Sequence, residues 1–221
     1  MVTTVYLVRH AAAEGNITKV FQGRIDADLC GYGHDQLNAL TERFKDIEID
    51  KLYSSPLLRA RKTANAVKPD MPIELIPDLM EIDGGGFESV KYCDLPEKFP
   101  EEYDQWTYHM GEFQAPNGGE SIADVYKRMS NAITEIAKQN LGKSVAVVSH
   151  GCAIRTFLCF AKGLDYKDIM QVEWADNTAV AKLIFDENSG FSIEYENCAK
   201  HLPAEISTFT HQDWWKPVEQ K

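Results

Sequence analysis

Two short apolar runs that end on histidine constrain this chain more than any other feature. Val5-Tyr6-Leu7-Val8 leads straight into Arg9-His10, and Val145-Ala146-Val147-Val148 leads into Ser149-His150-Gly151. A short continuous apolar run reads as a strand buried on both faces, the habit of parallel sheets covered by helices. Helical spacing separates them: Leu37, Leu40 and Phe44 in one segment, and Ile122, Val125, Tyr126, Met129, Ile133, Ile136 and Ala137 in a long amphipathic stripe. Ile49 to Tyr53 reads as a further strand. Ser55-Pro56 then reads as an N-cap with proline at the first helical position, opening a helix with Leu57, Leu58, Ala60, Ala64 and Val67. Gly151 to Lys162 is a helix. Ala179 to Phe185 and Phe191 to Tyr195 read as two strands turning at Asn188-Ser189-Gly190. This alternation predicts an α/β fold, a three-layer α/β/α sandwich with a mostly parallel sheet and an antiparallel edge strand.

Two stretches lack periodicity. Residues from about Glu14 to Gly33 read as a loop rich in Gly, Asn and Asp. Residues from about 83 to 119 hold Gly84-Gly85-Gly86, Pro96, Pro100, Pro116 and Gly118-Gly119 with aromatics between them, and read as a cap-like excursion. At 221 residues, without internal repeats, the chain is expected to form a single domain over 1–221. Tyr92, Phe99, Tyr103, Trp106 and Tyr108 either cover a site or pack the excursion. Trp214-Trp215 is expected to anchor the tail in a groove.

Charge narrows the function. A formal net charge of −11 argues against nucleic acid and anionic membrane surfaces as partners. The five cysteines include no C-x-x-C pair, so neither a disulfide scaffold nor a zinc ribbon is expected. No signal peptide and no run of 18 apolar residues is read, and a cytoplasmic protein is expected. Composition leaves the oligomeric state open.

Three charged motifs share one topological place. Arg9-His10 follows the first strand, Ser54-Ser55-Pro56-Leu57-Leu58-Arg59-Ala60 the second, and Ser149-His150-Gly151 the strand at Val145–Val148. Ligands bind outside the carboxyl ends of strands in open α/β sheets, where helix N-termini also point. Two histidines and two arginines delivered there make a cationic pocket in an acidic protein, which suggests a phosphate site. Neutral imidazole can attack phosphorus in line, and planar guanidinium groups match charge on the equatorial oxygens. Fixed arginines would also lower the pKa of the attacking histidine. The leaving alkoxide needs a carboxylic acid. Glu81, in Leu79-Met80-Glu81-Ile82-Asp83, is placed for that task, with Glu14, Asp83 and Glu88 as rivals.

Leu7-Val8-Arg9-His10, the Ser54–Ala64 segment, Glu81 and Val148-Ser149-His150-Gly151 together resemble the histidine phosphatase, or phosphoglycerate-mutase-like, superfamily. Gln22-Gly23-Arg24-Ile25-Asp26 resembles its phosphate-loop continuation, and Gly33-x-x-Gln36 its first helix. The resemblance runs from about residue 4 to residue 180. It implies that His10 is the phosphorylated nucleophile and Glu81 the proton donor. It also implies that Arg9, Arg59 and His150 bind the transferring group. Asn16 and Gln22 would supply amide donors, Gly23 backbone access, and Gly151 a further phosphate contact. It implies a phosphomonoester hydrolase acting on a small phosphorylated metabolite, with no metal and no nucleotide cofactor.

The chain departs from the family pattern at Ala11 and Ala13, where glycine and threonine are common. A lost hydroxyl contact to a charged group is worth about 1.5–3 kcal/mol, and Asn16 is the side chain expected to offset it. Two other readings compete. A cofactor-dependent phosphoglycerate mutase would carry a tyrosine shortly after the acid and an arginine pair further on. Here Asp83-Gly84-Gly85 and Gln105-Trp106-Thr107-Tyr108 stand instead. A non-catalytic phospho-ligand sensor on the same fold is the other. Cys152 reads as a pocket-lining thiol rather than a nucleophile, and His109 as a residue of the excursion that could meet substrate.

Overall fold

The computed structural model describes residues 1–212. Trp214-Trp215 lies outside the described residues. Six strands alternate with helices: β1 (Val2–Arg9), α1 (Glu14–Thr18), α2 (Gly31–Phe44), β2 (Lys51–Ser54), α3 (Leu58–Val67) and β3 (Ile73–Leu75). Then come α4 (Leu95–Lys98), α5 (Pro100–Tyr108), α6 (Ile122–Gln139), β4 (Ser144–Ser149), α7 (Gly151–Ala161), β5 (Val180–Asp186), β6 (Gly190–Cys198) and α8 (Thr208–His211). They form one sheet in the order β3-β2-β4-β1-β5-β6. β1 to β4 run parallel, while β5 pairs antiparallel with both β1 and β6. The expected antiparallel edge is thus a hairpin, in which β5 alone runs against its neighbours.

Strand alternation sorts the core into two layers. On one face Val5, Leu7, Val145, Val147 and Leu183 pack with Val125, Met129 and Ile133 of α6 and Phe157 of α7. On the other, Val8, Leu52, Ala146, Val148 and Val180 pack with Leu40 and Phe44 of α2 and Ala60, Ala64 and Val67 of α3. Successive side chains of a strand point to opposite faces, so apolar residues at every position demand cover on both. α6 is entered through a capping box: the Ser121 hydroxyl accepts from the Asp124 N–H at 3.1 Å, and the Asp124 carboxylate accepts from the Ser121 N–H at 3.0 Å.

Three local expectations are corrected. The Glu14–Gly33 segment is not all loop, because α1 forms within it. β3 extends the sheet where no strand was expected; its three residues show too little periodicity to read. Ser55 does not cap α3. The helix begins at Leu58 with Leu57 as its cap, and the Leu58 N–H donates to Asp26 Oδ1 instead. The Ser55 hydroxyl is taken by the Leu57 N–H and by His150. Among the excursion aromatics, Trp106 packs against Phe21 and Phe113, while Tyr108 is exposed.

Ile133 is fully buried on the α6 face. Ile133→Ala should cost about 2–5 kcal/mol through lost transfer energy and a residual cavity. Urea unfolding should show a lower midpoint at an unchanged slope.

Candidate active site

Parallel pairing sets the site. β1 lies beside β4 with Arg9 opposite Ser149, and β2 lies beside β4 with Ser54 opposite Val148. The ladder continues one step further, as the His10 N–H donates to Ser149 O and the Ser55 N–H to Val148 O, both at 3.0 Å. The ends of three strands, with α3 and α7 starting beyond two of them, are therefore brought together.

His10 is buried, and its Nδ1 lies 2.7 Å from the Ala11 carbonyl oxygen. A carbonyl can only accept, so Nδ1 carries the proton and Nε2 keeps its lone pair. Burial, then the positive charges of Arg59 and Arg9, push the His10 pKa well below the ordinary imidazole value. The His150 ring centroid lies 5.0 Å from that of His10. Its Nε2 meets the Ser55 hydroxyl at 2.7 Å, and its buried Nδ1 has no partner among the described residues. Burial and Arg59 depress its pKa in the same way.

Arg59 is 1% exposed and donates to Ile25 O at 2.6 Å and Gly23 O at 2.7 Å. Burial lowers its pKa to about 10, which still leaves it charged at neutral pH. Arg9 donates to the Ala175 carbonyl. The Nε atoms of both arginines are buried without partners among the described residues. Unspent donors of this kind cost free energy until an anion fills them.

The Glu81 carboxylate sits at the start of α7, accepting from Cys152 N at 3.1 Å and from Ala153 N at 3.0 Å, with a third bond from Ile82 N at 2.9 Å. Of the four candidate acids, only Glu81 lines the cavity beside His10. Asp83 and Glu88 bind backbone amides of the surrounding loops, and Glu14 is exposed. Arg128 donates to Glu81 O at 3.1 Å and so holds that turn in place.

The cavity is lined by Arg9, His10, Asn16, Gln22, Gly23, Arg59, Glu81 and Gly151 among others. His150, fully buried, packs against the His10 ring beside this cavity. Gly23 has φ +46, and a Cβ there would lie 2.3 Å from Glu88 Oε1, so only glycine fits. Asn16 lines the cavity and also steadies the loop beside it. Its Oδ1 accepts from Ala13 N at 2.9 Å, while Ala11 N donates to Thr63 Oγ1 at 2.9 Å and Ala12 N to Gln36 Oε1 at 2.8 Å. Three side chains thus hold the alanine loop by its backbone. The Gly33-x-x-Gln36 motif has a plain cause: a Cβ on Gly33 would lie 2.1 Å from Ala12 O, and Gln36 grips the next amide.

Sequence reasoning missed several parts of the site. Ser55, Thr63 and Gln36 belong to its support. Lys19, Phe21, Trp174 and Gln212 belong to its walls. Gln36 also donates to Ile206 O at 2.7 Å, Asn177 donates to His10 O at 2.8 Å and accepts from Thr208 Oγ1 at 2.8 Å, and Gln212 donates to Asn16 O. No local motif announces such long-range contacts. Tyr92 and Trp106 line the cavity; Phe99, Tyr103 and Tyr108 do not. Cys152 lines it as well, and burial with Glu81 nearby raises its pKa well above the usual thiol value, so it stays protonated. His109 lies away, 3.8 Å from Asp104.

The depressed pKa values carry a sign. Unfolded imidazoles take up protons below about pH 6.5, whereas folded His10 and His150 do not, so native stability falls as pH drops below that value. In ¹H–¹⁵N spectra both rings should keep their neutral signatures from about pH 7.5 to about pH 5.5.

The model of the histidine phosphatase superfamily, branch 1, matches residues 5–198. Phosphoserine phosphatase 1 of Hydrogenobacter thermophilus is 36% identical over 163 residues, covering 72% of this chain and 76% of its own. The metal-independent phosphoserine phosphatase of Arabidopsis thaliana is 35% identical over 160 residues, 70% of this chain and 66% of its own. The solved phosphoserine phosphatase of Entamoeba histolytica in complex with 3-phosphoglyceric acid superposes with a TM-score of 0.80 at 28% identity, covering 91% of this chain and all of that one.

Proposed function

The chain belongs to the histidine phosphatase superfamily, and we propose that it hydrolyses small phosphomonoesters by passing the phosphoryl group through His10. The observation that carries this reading is the Nδ1 bond to Ala11 O, which leaves Nε2 nucleophilic beside two buried guanidinium groups. Nε2 attacks phosphorus as the ester P–O bond breaks, and the leaving oxygen takes a proton from Glu81. Water then attacks the phosphohistidine, giving its proton to the Glu81 carboxylate. The P–N bond breaks and inorganic phosphate leaves.

The unpartnered donors fit this path. Arg9 Nε, Arg59 Nε and His150 Nδ1 are available for phosphoryl oxygens. For His150 this assigns the Nδ1–H tautomer, with the Ser55 hydroxyl donating to Nε2. Gln22 Oε1 is also buried without a partner, and a flipped amide would present its NH₂ there. Asn16, Gly23 and Gly151 complete the cradle. Side chains and amides are placed to supply the charge stabilisation, and the metal independence in the name of the Arabidopsis relative supports a reaction without metal here.

In the same reading the whole chain is one histidine phosphatase domain, and the 83–119 excursion is its cap, contributing Tyr92 and Trp106 to the cavity wall. Relatives that act on phosphoserine or bind 3-phosphoglyceric acid support a small phosphorylated metabolite as substrate. Five free cysteines suit a cytoplasmic location. Among the described residues no helix is long and apolar enough to cross a membrane.

Rapid-quench experiments should trap an acid-labile phosphohistidine that His10→Ala abolishes, together with turnover; a wild-type rate in that variant would refute the assignment. Glu81→Gln should lower kcat about 10²–10⁴-fold for an alkyl phosphate. The loss should be much smaller for an aryl phosphate whose phenol leaves without a proton. Interconversion of 2- and 3-phosphoglycerate faster than hydrolysis would instead identify a mutase.

A further inference from the structure

The phosphoryl chemistry leaves part of the cavity wall unused: Lys19, Val20, Phe21, Trp106, Trp174 and Gln212. These residues surround whatever the phosphoryl group is attached to. Among the lining residues Lys19 is the only lysine or arginine besides Arg9 and Arg59, and Glu81 is the only carboxylate. Lys19 is exposed and, like several other lysines, makes no ion pair among the described residues; it is the one of them that lines the cavity.

Its backbone is fixed in an unusual way. Lys19 caps the end of α1 with φ 55 and ψ 42, a left-handed conformation that glycine or asparagine takes more readily. The Lys19 carbonyl accepts from Tyr92 N at 2.9 Å, and Val20 bridges to Lys91. A long cationic side chain is thus held on a rigid mount at the rim of an anion site, at a position where its backbone is disfavoured. Such strain clusters where the side chain has a task.

We propose that Lys19 is a specificity-determining residue that receives a carboxylate on the alcohol portion of the substrate, so that the preferred esters are phosphorylated hydroxy acids. This rests on the phosphomonoesterase reading above. The chemistry favours a monoanion. One hydrated ammonium is a point charge suited to a single carboxylate, and a second phosphate dianion would demand more cations than this rim holds. Trp106 and Trp174, with ring centroids 6.0 Å apart, and Phe21, 5.2 Å from Trp106, offer an apolar wall to the short carbon chain between the two anionic ends.

The matched probes are 3-phosphoglycerate and glycerol 3-phosphate, in which a carboxylate is replaced by a hydroxymethyl group. In Lys19→Met the ratio of kcat/KM between them should fall about tenfold, the equivalent of one charge-assisted hydrogen bond. The change should lie in KM. Lys19→Arg should restore most of it, and added salt should weaken the wild-type preference. Calorimetric Kd values for the two esters, measured in the His10→Ala background with and without Lys19→Met, should shift by the same ratio without any turnover. An unchanged ratio, or equal losses for both esters, would overturn the role of Lys19. Absence of hydrolysis of every ester by the wild type would strike the phosphatase reading instead, and the Kd ratio would still decide the question of Lys19.

Discussion

Everything chemical in this molecule depends on one short hydrogen bond, from His10 Nδ1 to the carbonyl of the next residue. It selects the tautomer, orients the ring and leaves the far nitrogen as a base without a proton. The bond is only as firm as the Ala11–Ala13 backbone that supplies the acceptor. Thr63 from α3, Gln36 from α2 and Asn16 from α1 each take one amide of that loop. Three helices therefore converge on three consecutive alanines that offer no side-chain function. With their methyl groups fully buried, these residues serve as packing, and the polar work passes to the neighbours.

Electrostatics then follows from burial. Two guanidinium groups are taken out of water in a chain of formal net charge −11, and they are compensated by carbonyl oxygens more than by carboxylates. Positive charge held by neutral dipoles stays available to an incoming dianion. Burial, and after it the same field, lowers the pKa of both histidines, so one residue pair bears on the imidazoles and on anion affinity together. Glu81 is arranged on another logic: the opening amides of α7 hold it by both oxygens and so fix its carboxyl group at the cavity wall.

Much of the fold was legible because β1 and β4 are apolar on both faces, a pattern that only a covered sheet explains. The site was legible where charged residues follow strands directly, as Arg9, His10 and His150 do. Arg59 and Glu81 were legible from their places, beyond a strand and before a glycine-rich loop, and the resemblance supplied their roles. The remainder was hidden for physical reasons. The Ser55 hydroxyl looks like a helix cap in one dimension and turns out to serve a histidine 95 positions later. Gln212 donates to Asn16 O and Gln36 donates to Thr208 Oγ1, bonds that span most of the chain.

Those last contacts bear on how the protein matures. Residues 206–212 supply hydrogen bonds to Gln36, Asp176, Asn177 and Asn16, every one of them in or beside the loop that holds His10. Domains fold as units. The ring of His10 gains its full mount only when a stretch remote in sequence has docked, with Gln212 reaching Asn16 across 196 positions, so a chain stalled before that docking would hold the histidine without the framework around it.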